Sequence, residues 1–498
     1  MPTLEALKRR HPEHQRYCEY WELLTAVVEG GDSMTDEMKR KLLPNPDGRP
    51  EAVMKERVRL ATYCNKIAPI LSRFNSELFK NPATPTGSND PFWSEQFFVG
   101  GALLDGDDDG RASFNSFLMQ AMMTALTTGK AIAQIDTKRA NGAVSKAQQR
   151  ETGELNPYVI LHPRSALWDW DSGRDGFNFV KLHQFRLVRS QWDSVPIPEH
   201  VFTIYYRDGG AVFASKYVVR KIERDSKPPL PEPFISSVSE RDISIEANIE
   251  GQAIFNVGGK FEFPVVTLTL PKALWMAAQL FDCQKSYFNQ TAALEYALYS
   301  NNYAMPVITG VDDDEDPLQG RLMGDGYYLT LKSGQGITTF ERSGASIQTA
   351  IGYRAEVKRD IYDVLQQIAM SAADGASIIA RSGESKAEDR RPEEILLERY
   401  GQLVKEFIVQ VLKPAAIARG QIVDWAVTGY DEFLGFSITE LLTDMEGINT
   451  AAIPSPTFKK EVQKHFVKRA ARVYDLNQKA VERSLEEIDS DTSTSKAP

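Results

Sequence analysis

The stretch KALWMAAQLFDCQKSYFNQTAALEYALYS, residues 272–300, decides how the rest of the chain is organised. It contains neither proline nor glycine, and as a helix it would extend about 44 Å at 1.5 Å per residue. A second helical pattern, SIQTAIGYRAEVKRDIYDVLQQIAM, follows at 346–370, and the residues between the two are rich in turns and short strands. This order predicts a hairpin in which one helix runs out, residues 301–345 form the tip, and the other helix returns.

The returning helix has apolar residues at the three- and four-residue spacing of an amphipathic helix. These residues are Ile347, Ile351, Val357, Ile361, Val364, Leu365 and Ile368. A hairpin standing alone would expose such a stripe, so we expect side-by-side packing with copies of the same chain. The alternative is that both helices belong to the core of one large domain.

The residues before the hairpin predict helices followed by a sheet. Helical patterns cover 13–30, 51–80 and 112–129. Residues 131–270 are rich in β-branched and aromatic side chains that often alternate with polar ones, which predicts an antiparallel β-rich region. Asp208-Gly209-Gly210 between two such runs is typical of a tight hairpin turn.

The residues after the hairpin predict further helices and an α+β fold for the whole chain. Pro392 begins a third long helix, which Lys413-Pro414 is expected to kink or end. A strand pair at 421–436 and helices from 437 to about 488 follow. The polar residues 489–498 are typical of a disordered tail.

Composition excludes several classes of protein. The 498 residues are 42% hydrophobic and 25% charged, values of a globular chain of about three domains and not of a collagen-like or disordered one. The formal net charge of −10 disfavours a free-standing cationic nucleic-acid binder. Cys18, Cys64 and Cys283 are too few and too far apart for a disulfide framework or zinc site, and suggest reduced thiols. The longest apolar stretch, 264–281, contains two prolines and a lysine, so no membrane span is expected.

Catalytic signatures are missing from the sequence, which predicts neither an enzyme nor a cofactor. G-x-S-x-G, H-E-x-x-H and C-x-x-C do not occur. A hydrolase that uses the carboxylates of Asp169 and Asp171 stays open as an alternative, although LWDWDSGRDG predicts a solvated turn. His11 and His14 have the spacing of metal ligands, but they lie in a charged N-terminal arm that we expect to be mobile.

One acidic loop resembles part of a calcium site. Asp105, Asp107 and Asp109 match positions 1, 3 and 5 of an EF-hand loop, but Ser116 stands where position 12 needs a bidentate glutamate. The following residues predict a helix with Ser113 near its N-cap, and a helix dipole favours acidic residues there. We therefore expect a loop and a helix cap, with the three aspartates as a weak metal candidate.

Six stretches, taken in order, carry a resemblance to one protein family. They are RVRLATYCNKIAPILSRFNSELFKNP (57–82), DDDGRASFNSFLMQAMMTALTTGKAIAQID (107–136), LPKALWMAAQLFDCQKSYFNQTAALEYALYSNNYAMPVITG (270–310), SIQTAIGYRAEVKRDIYDVLQQIAM (346–370), ASIIARSGESKAEDRRPEEILLERYGQLVKEFIVQVL (376–412) and ITELLTDMEGINTAAIPSPTFKKEVQKHF (438–466). Their order and spacing resemble the portal proteins of tailed bacteriophages, which connect head and tail.

The resemblance implies a ring, usually of twelve subunits, at one capsid vertex of the virion, through which DNA is packaged and later ejected. It divides the chain into an N-terminal arm (1–50), wing (51–270), first stem helix (271–300), clip (301–345), second stem helix (346–370), tunnel loop (371–391), long wing helix and strands (392–436), crown helices (437–488) and tail (489–498). Implied partners are terminase, tail adaptors, the major capsid and scaffold proteins, and double-stranded DNA bound without sequence preference. Assembly would take place in the host cytoplasm. Another structural virion protein, such as a capsid or tail-tube subunit, is the alternative.

The resemblance also assigns roles to three sets of charged residues. Candidates for the DNA channel are Arg354, Lys358, Arg359, Arg381, Lys386, Arg390 and Arg391. Acidic neighbours balance them, as suits a wall that should not hold phosphates. Clip candidates for docking the terminase and adaptors are Asp312, Asp313, Asp314, Glu315 and Asp316. Crown candidates for DNA contact are Lys464, Lys468 and Arg472, which could instead pair with acidic residues of a neighbouring subunit.

Overall fold

The structure, a computed structural model, describes most of the chain. It covers residues 2–45, 51–104, 111–137, 156–174, 176–189, 196–221, 243–254, 256–257, 260–302, 305–309, 336–340, 344–372, 391–430, 433, 460, 463–464, 467 and 478–490. The chain divides into two units, Met1–Asp431 and Glu432–Pro498. Both helix and sheet are abundant, so the predicted α+β class is confirmed.

The described helices lie mainly before and after a central β-rich region. They are α1 (Leu4–Lys8), α2 (Pro12–Glu29), α3 (Asp36–Leu42), α4 (Glu51–Leu60), α5 (Ala68–Leu78), α6 (Phe98–Gly100), α7 (Phe114–Thr128), α8 (Met276–Asn302), α9 (Gly344–Ala372), α10 (Arg391–Ala418) and α11 (Gln478–Ser490). Helix α11 belongs to the second unit. It ends at Ser490, so the first two residues of the predicted disordered tail are helical.

The described strands are numbered along the chain. They are β1 (Thr84–Thr86), β2 (Ala102–Leu103), β3 (Arg111–Ala112), β4 (Lys130–Thr137), β5 (Pro157–Pro163), β6 (Leu167–Gly173), β7 (Gly176–Val188), β8 (Ile197–Asp208), β9 (Ala211–Lys221), β10 (Ile243–Ile254), β11 (Asn256–Val257), β12 (Lys260–Phe261), β13 (Val265–Thr269), β14 (Met305–Thr309), β15 (Gly336–Phe340) and β16 (Ala426–Thr428).

Two five-stranded sheets form the β-rich region, in the orders β13-β4-β5-β2-β3 and β10-β9-β8-β7-β6. The second is an antiparallel meander, as the alternating pattern predicts. Its β8–β9 turn closes at the Asp208–Ala211 pair. Gly209 and Gly210 have φ of 56° and 84°, so both central residues of the predicted hairpin turn need the left-handed region that glycine adopts freely.

The first sheet joins the helices through Arg164. The Arg164 guanidinium donates to the Thr128 carbonyl at 2.6 Å and to Glu13 at 2.7 Å, and it lies 4.0 Å from the ring centre of Trp21. Gly129, the C-cap of α7, has φ of 81°. A Cβ there would lie 3.1 Å from the Arg164 guanidinium, so the position requires glycine for both reasons.

Residues 2–45 of the N-terminal arm are ordered, and the expectation that the part around His11 and His14 is mobile is wrong. Leu4 and Leu7 are buried in an apolar cluster on the meander sheet. The buried Lys181 ammonium donates to the carbonyls of Ala6 and Arg9, at the end of α1. The arm stays in place because two apolar side chains and a capping cation hold one short helix against the sheet.

The predicted helix over 51–80 is two helices. Between them, Tyr63 donates to the Val27 carbonyl at 2.6 Å, and Asn65 donates to the Val28 carbonyl at 2.7 Å. These are carbonyls of the last turn of α2, which lack partners within that helix. The chain breaks at this point because its polar groups satisfy the end of another helix.

The predicted hairpin is present in the structure. Helices α8 and α9 pack against each other, and between them β14 pairs with β15 in antiparallel register. Helix α8 is buried along most of its length against α2, α4 and α7. Part of the alternative therefore also holds, since the first hairpin helix is a core helix of its own chain.

Two predictions for the segment after the hairpin need correction. Of the two outcomes predicted at Lys413-Pro414, a kink or an end, the end is wrong, because α10 continues through Pro414 to Ala418. In the predicted strand pair at 421–436, only β16 is a described strand, and its partner is the distant β1. Most of the predicted crown region, 437–488, lies outside the described residues.

Replacement of Leu7 by alanine should lower the free energy of unfolding by about 2–5 kcal/mol, because a fully buried leucine leaves a cavity. The exposed Glu5 on the same helix provides a matched control, and Glu5→Ala should change stability by no more than about 0.5 kcal/mol. Urea unfolding followed by tryptophan fluorescence measures both. Equal stability of the two variants would show that the arm is not docked.

Candidate functional site

The predicted functional residues fall only partly within the described structure. On α9, Arg354 is half-buried, whereas Lys358 and Arg359 are exposed. Arg391 is the first residue of α10. Lys464 is half-buried. The remaining candidates lie outside the described residues: Asp105, Asp107, Asp109, Asp312, Asp313, Asp314, Glu315, Asp316, Arg381, Lys386, Arg390, Lys468 and Arg472.

Helix α9 turns one apolar stripe inward, and the residues of its opposite arc that the structure describes are exposed. Val357 and Ile361 are at most 3% exposed and form the centre of the buried stripe. Ile351, predicted to belong to this stripe, is 38% exposed, and Tyr353 and Tyr362 are about half exposed. Ile351 is exposed, contrary to the prediction, because at 100° per residue it lies about a quarter turn from the centre of the buried stripe.

The exposed apolar side chains continue onto the far part of α8. Leu298 and Tyr299 are 43% and 38% exposed, although earlier residues of α8 such as Leu280 are fully buried. The hairpin thus emerges from the helical body towards its tip. Grouped exposed apolar residues on a protein surface mark a site of association.

Asp169 and Asp171 do not lie in the predicted solvated turn. They belong to strand β6, which is irregular on either side of this pair of residues. Asp169 lies 3.6 Å from the Lys181 ammonium, and Asp171 accepts a hydrogen bond from the Asn178 amide at 3.1 Å. Each carboxylate thus has a structural partner, and this geometry lends the hydrolase alternative no support.

The two histidines of the arm also serve structural roles. His11 Nδ1 accepts a hydrogen bond from the Glu13 backbone and caps α2, and its ring stacks on Trp170 at 3.8 Å. His14 is fully buried and its Nε2 lies 3.0 Å from the Ser165 carbonyl oxygen. Within the described residues, no group of three or more potential ligands is arranged to hold a metal ion.

A polar cavity of about 660 Å³ lies where both five-stranded sheets meet α2. His162, His183 and His200 line it together, although they lie far apart in the sequence. Sequence reasoning missed this cluster because it depends on strand register. His200 pairs with Phe185 across the ladder, which places it diagonally opposite His183.

A chain of hydrogen bonds, in which each group donates to the next, passes through the buried His162 and connects the two sheets. The Gln184 amide donates to His162 Nδ1 at 3.3 Å, and His162 Nε2–H donates to Gln134 Oε1 at 2.7 Å. The Gln134 amide then donates to the Tyr205 hydroxyl at 2.8 Å. This chain needs a neutral imidazole, and burial lowers the pKa of His162 to about 4.

His183 and His200 form the other half of the cluster. His183 Nε2 lies 2.9 Å from His200 Nδ1, so one ring donates to the other. Burial, reinforced by His200, lowers the pKa of His183 to about 3, and burial also lowers the pKa of His200. All three imidazoles are therefore neutral at physiological pH and act as connecting groups between strands.

Comparison with known proteins gives no family assignment. The chain matches no protein-family model and no curated protein sequence. Among the helices that the structure describes, none is long and apolar enough to cross a membrane.

The buried histidines predict that acid destabilises the fold. His162 has a folded-state pKa of about 4 and an unfolded one near 6.5, so its contribution is complete above about pH 6.5 and is lost as the pH falls towards 4. The free energy of unfolding should drop by up to about 1.4 kcal/mol per pH unit from this residue. Urea unfolding across this range should show a shallower slope for His162→Gln.

Tyr205→Phe is the control for this measurement. It removes the last acceptor of the same hydrogen-bond chain but no titrating imidazole, so it should lower stability equally at each pH. A wild-type slope retained in His162→Gln would contradict the assignment.

Proposed function

We propose that this chain is the subunit of a phage portal, a ring that passes DNA at one vertex of the capsid. The observation that carries the proposal is the helical hairpin of α8 and α9 with an antiparallel strand pair between them. In this proposal α8 and α9 are the stem helices, the strand pair belongs to the clip, and the β-rich region belongs to the wing. The order of elements along the chain supports this division.

The packing of the hairpin supports a role in assembly. Helix α8 is fixed to the body of the chain, and at its start Tyr400 of α10 donates to the Leu274 carbonyl at 2.7 Å. Helix α9 instead leaves Ile351, Tyr353 and Tyr362 uncovered. Burying such side chains between subunits stabilises an oligomer by about 25 cal/mol per Å² of apolar surface. In a heterologous contact, one face of a subunit binds a different face of the next. Such contacts close into a ring when they repeat around an axis.

The charge of α9 is compatible with a channel for DNA. Arg354, Lys358 and Arg359 are balanced by Glu356, Asp360 and Asp363, so residues 346–370 have no net charge. Each fixed contact to a phosphate would add affinity without sequence preference and would retard sliding. A neutral wall avoids this, and the tunnel-loop candidates Arg381, Lys386, Arg390 and Arg391 extend the same proposal.

The proposal assigns roles to one acidic segment in the clip and one basic segment in the crown. Residues 301–345 contain seven acidic and three basic residues, which suits docking of the terminase and later of a tail adaptor. Residues 457–473 contain six basic residues and one acidic, so the crown could contact the packaged genome through Lys464, Lys468 and Arg472.

Purified protein should form isolated rings with a central hole, visible by negative-stain electron microscopy. Analytical ultracentrifugation should show one large species at all but the lowest concentrations. A stable monomer across the concentration range would contradict the proposal. Closed shells or long tubes would instead identify a capsid or tail-tube subunit.

The clip variant replaces five acidic residues by their amides: Asp312, Asp313, Asp314, Glu315 and Asp316. This variant should still form rings but should reduce DNA packaging or tail joining. The physical reason is that an acidic rim attracts a basic partner, and this attraction weakens as salt rises. Particle yield in an infection measures the effect. Neutralising the exposed Asp36 and Glu37 is the control, and wild-type yield from the clip variant would exclude the docking role.

A further inference from the structure

The charges of α9 are sorted between two sides of the helix. Because Val357 and Ile361 define the buried side, the positions of the charged residues follow from 100° per residue. Arg354 and Lys358 share one flank. Glu356 and Asp360 share the other, about 160° away around the axis.

Each flank places like charges four residues apart, which is unfavourable in an isolated helix. By contrast, Arg359 lies on the outward arc between the flanks, and Asp363, seven residues after Glu356, lies beside the acidic flank. Among the residues that the structure describes, no oppositely charged group of the same chain lies within ion-pair distance of the four flank residues. The two flanks therefore have complementary charge that the described part of the chain leaves unpaired.

We propose that Arg354 and Lys358 of one copy pair with Glu356 and Asp360 of the next copy. This inference rests on the proposed ring and specifies how its subunits meet. A two-fold contact through one flank would bring like charges together, so the contact joins unlike flanks and repeats around the ring. Arg354 facing Glu356 and Lys358 facing Asp360 needs parallel helices offset by two residues, or about 3 Å.

Exposed apolar residues lie beside both flanks. Ile351 and Tyr362 lie next to the basic flank, and Tyr353 lies next to the acidic one. Tyr353 is therefore placed to stack against a guanidinium or ammonium group of the neighbouring copy. Exposed ion pairs alone contribute little to association, and these side chains supply the apolar part of the contact.

This assignment moves two residues away from the channel. Arg354 and Lys358 face a neighbouring subunit, and Arg359, on the outward arc, is the remaining basic candidate of α9 for the DNA channel. The neutral sum of the helix then combines the complementary flanks with the remaining charges of Arg359 and Asp363.

Charge reversal tests the contact. The variant Arg354→Glu with Lys358→Glu has two acidic flanks, and Glu356→Lys with Asp360→Lys has two basic flanks. Each alone should need at least about tenfold higher protein concentration for half-maximal ring assembly than wild type. All four changes in one chain should restore rings, as should an equimolar mixture of the two variants, because unlike flanks can then alternate.

The matched control is Glu37→Lys with Lys41→Glu, which reverses an exposed ion pair on α3 at the same four-residue spacing and should leave assembly unchanged. Circular dichroism establishes that each variant is folded, and sedimentation velocity measures assembly. Wild-type assembly of both single-flank variants, or no recovery in the combined ones, would overturn the inference while the ring stands. If wild type itself forms no ring, the proposed function fails and the inference fails with it.

Discussion

The buried guanidinium of Arg164 is the interaction on which the arrangement of the first unit depends. It joins the C-terminal end of α7, the acidic first turn of α2 and the aromatic ring of Trp21 in one place. Trp275, just before α8, donates its indole N–H to the neighbouring Thr127 carbonyl at 2.9 Å. A cation taken out of water needs such partners, and here they come from two helices, Thr128 from α7 and both Glu13 and Trp21 from α2. The position of the long hairpin relative to the sheets follows from this junction.

The two sheets are connected in a different way, through uncharged groups. The chain from Gln184 through His162 and Gln134 to Tyr205 crosses from the meander sheet to the first sheet with every donor aimed at an acceptor. Such a chain specifies one alignment of the sheets, because any shift of register leaves a buried polar group without a partner. His162 lies in β5 and Arg164 directly follows the end of that strand, so β5 positions both connections.

The sequence predicted those elements whose structure depends on residues close together in the chain. The two hairpin helices begin and end within four residues of the predicted bounds, and Ser113 caps α7 through the Ser116 amide as predicted. The errors come from distant partners. Asn65 breaks a helix because it binds the end of α2, and β16 pairs with a strand more than 300 residues earlier. The histidine cluster was missed for the same reason, since only the pairing of strands brings its members together.

The two hairpin helices differ in how far they are buried, and this difference supports the proposed function. A ring subunit needs a rigid framework and a surface that is incomplete without a neighbour. Helix α8 supplies the first because most of its length packs against the body of its own chain. Helix α9 supplies the second, since only one side of it is buried. A helix with one buried side has two flanks and an outward face that point in different directions, so one helix can contact two neighbours and still present a face to DNA. The charges of α9 suit both contact between subunits and passage of DNA. Opposite charges on the two flanks favour contact between unlike flanks of neighbouring copies, and the zero net charge leaves little attraction for phosphates.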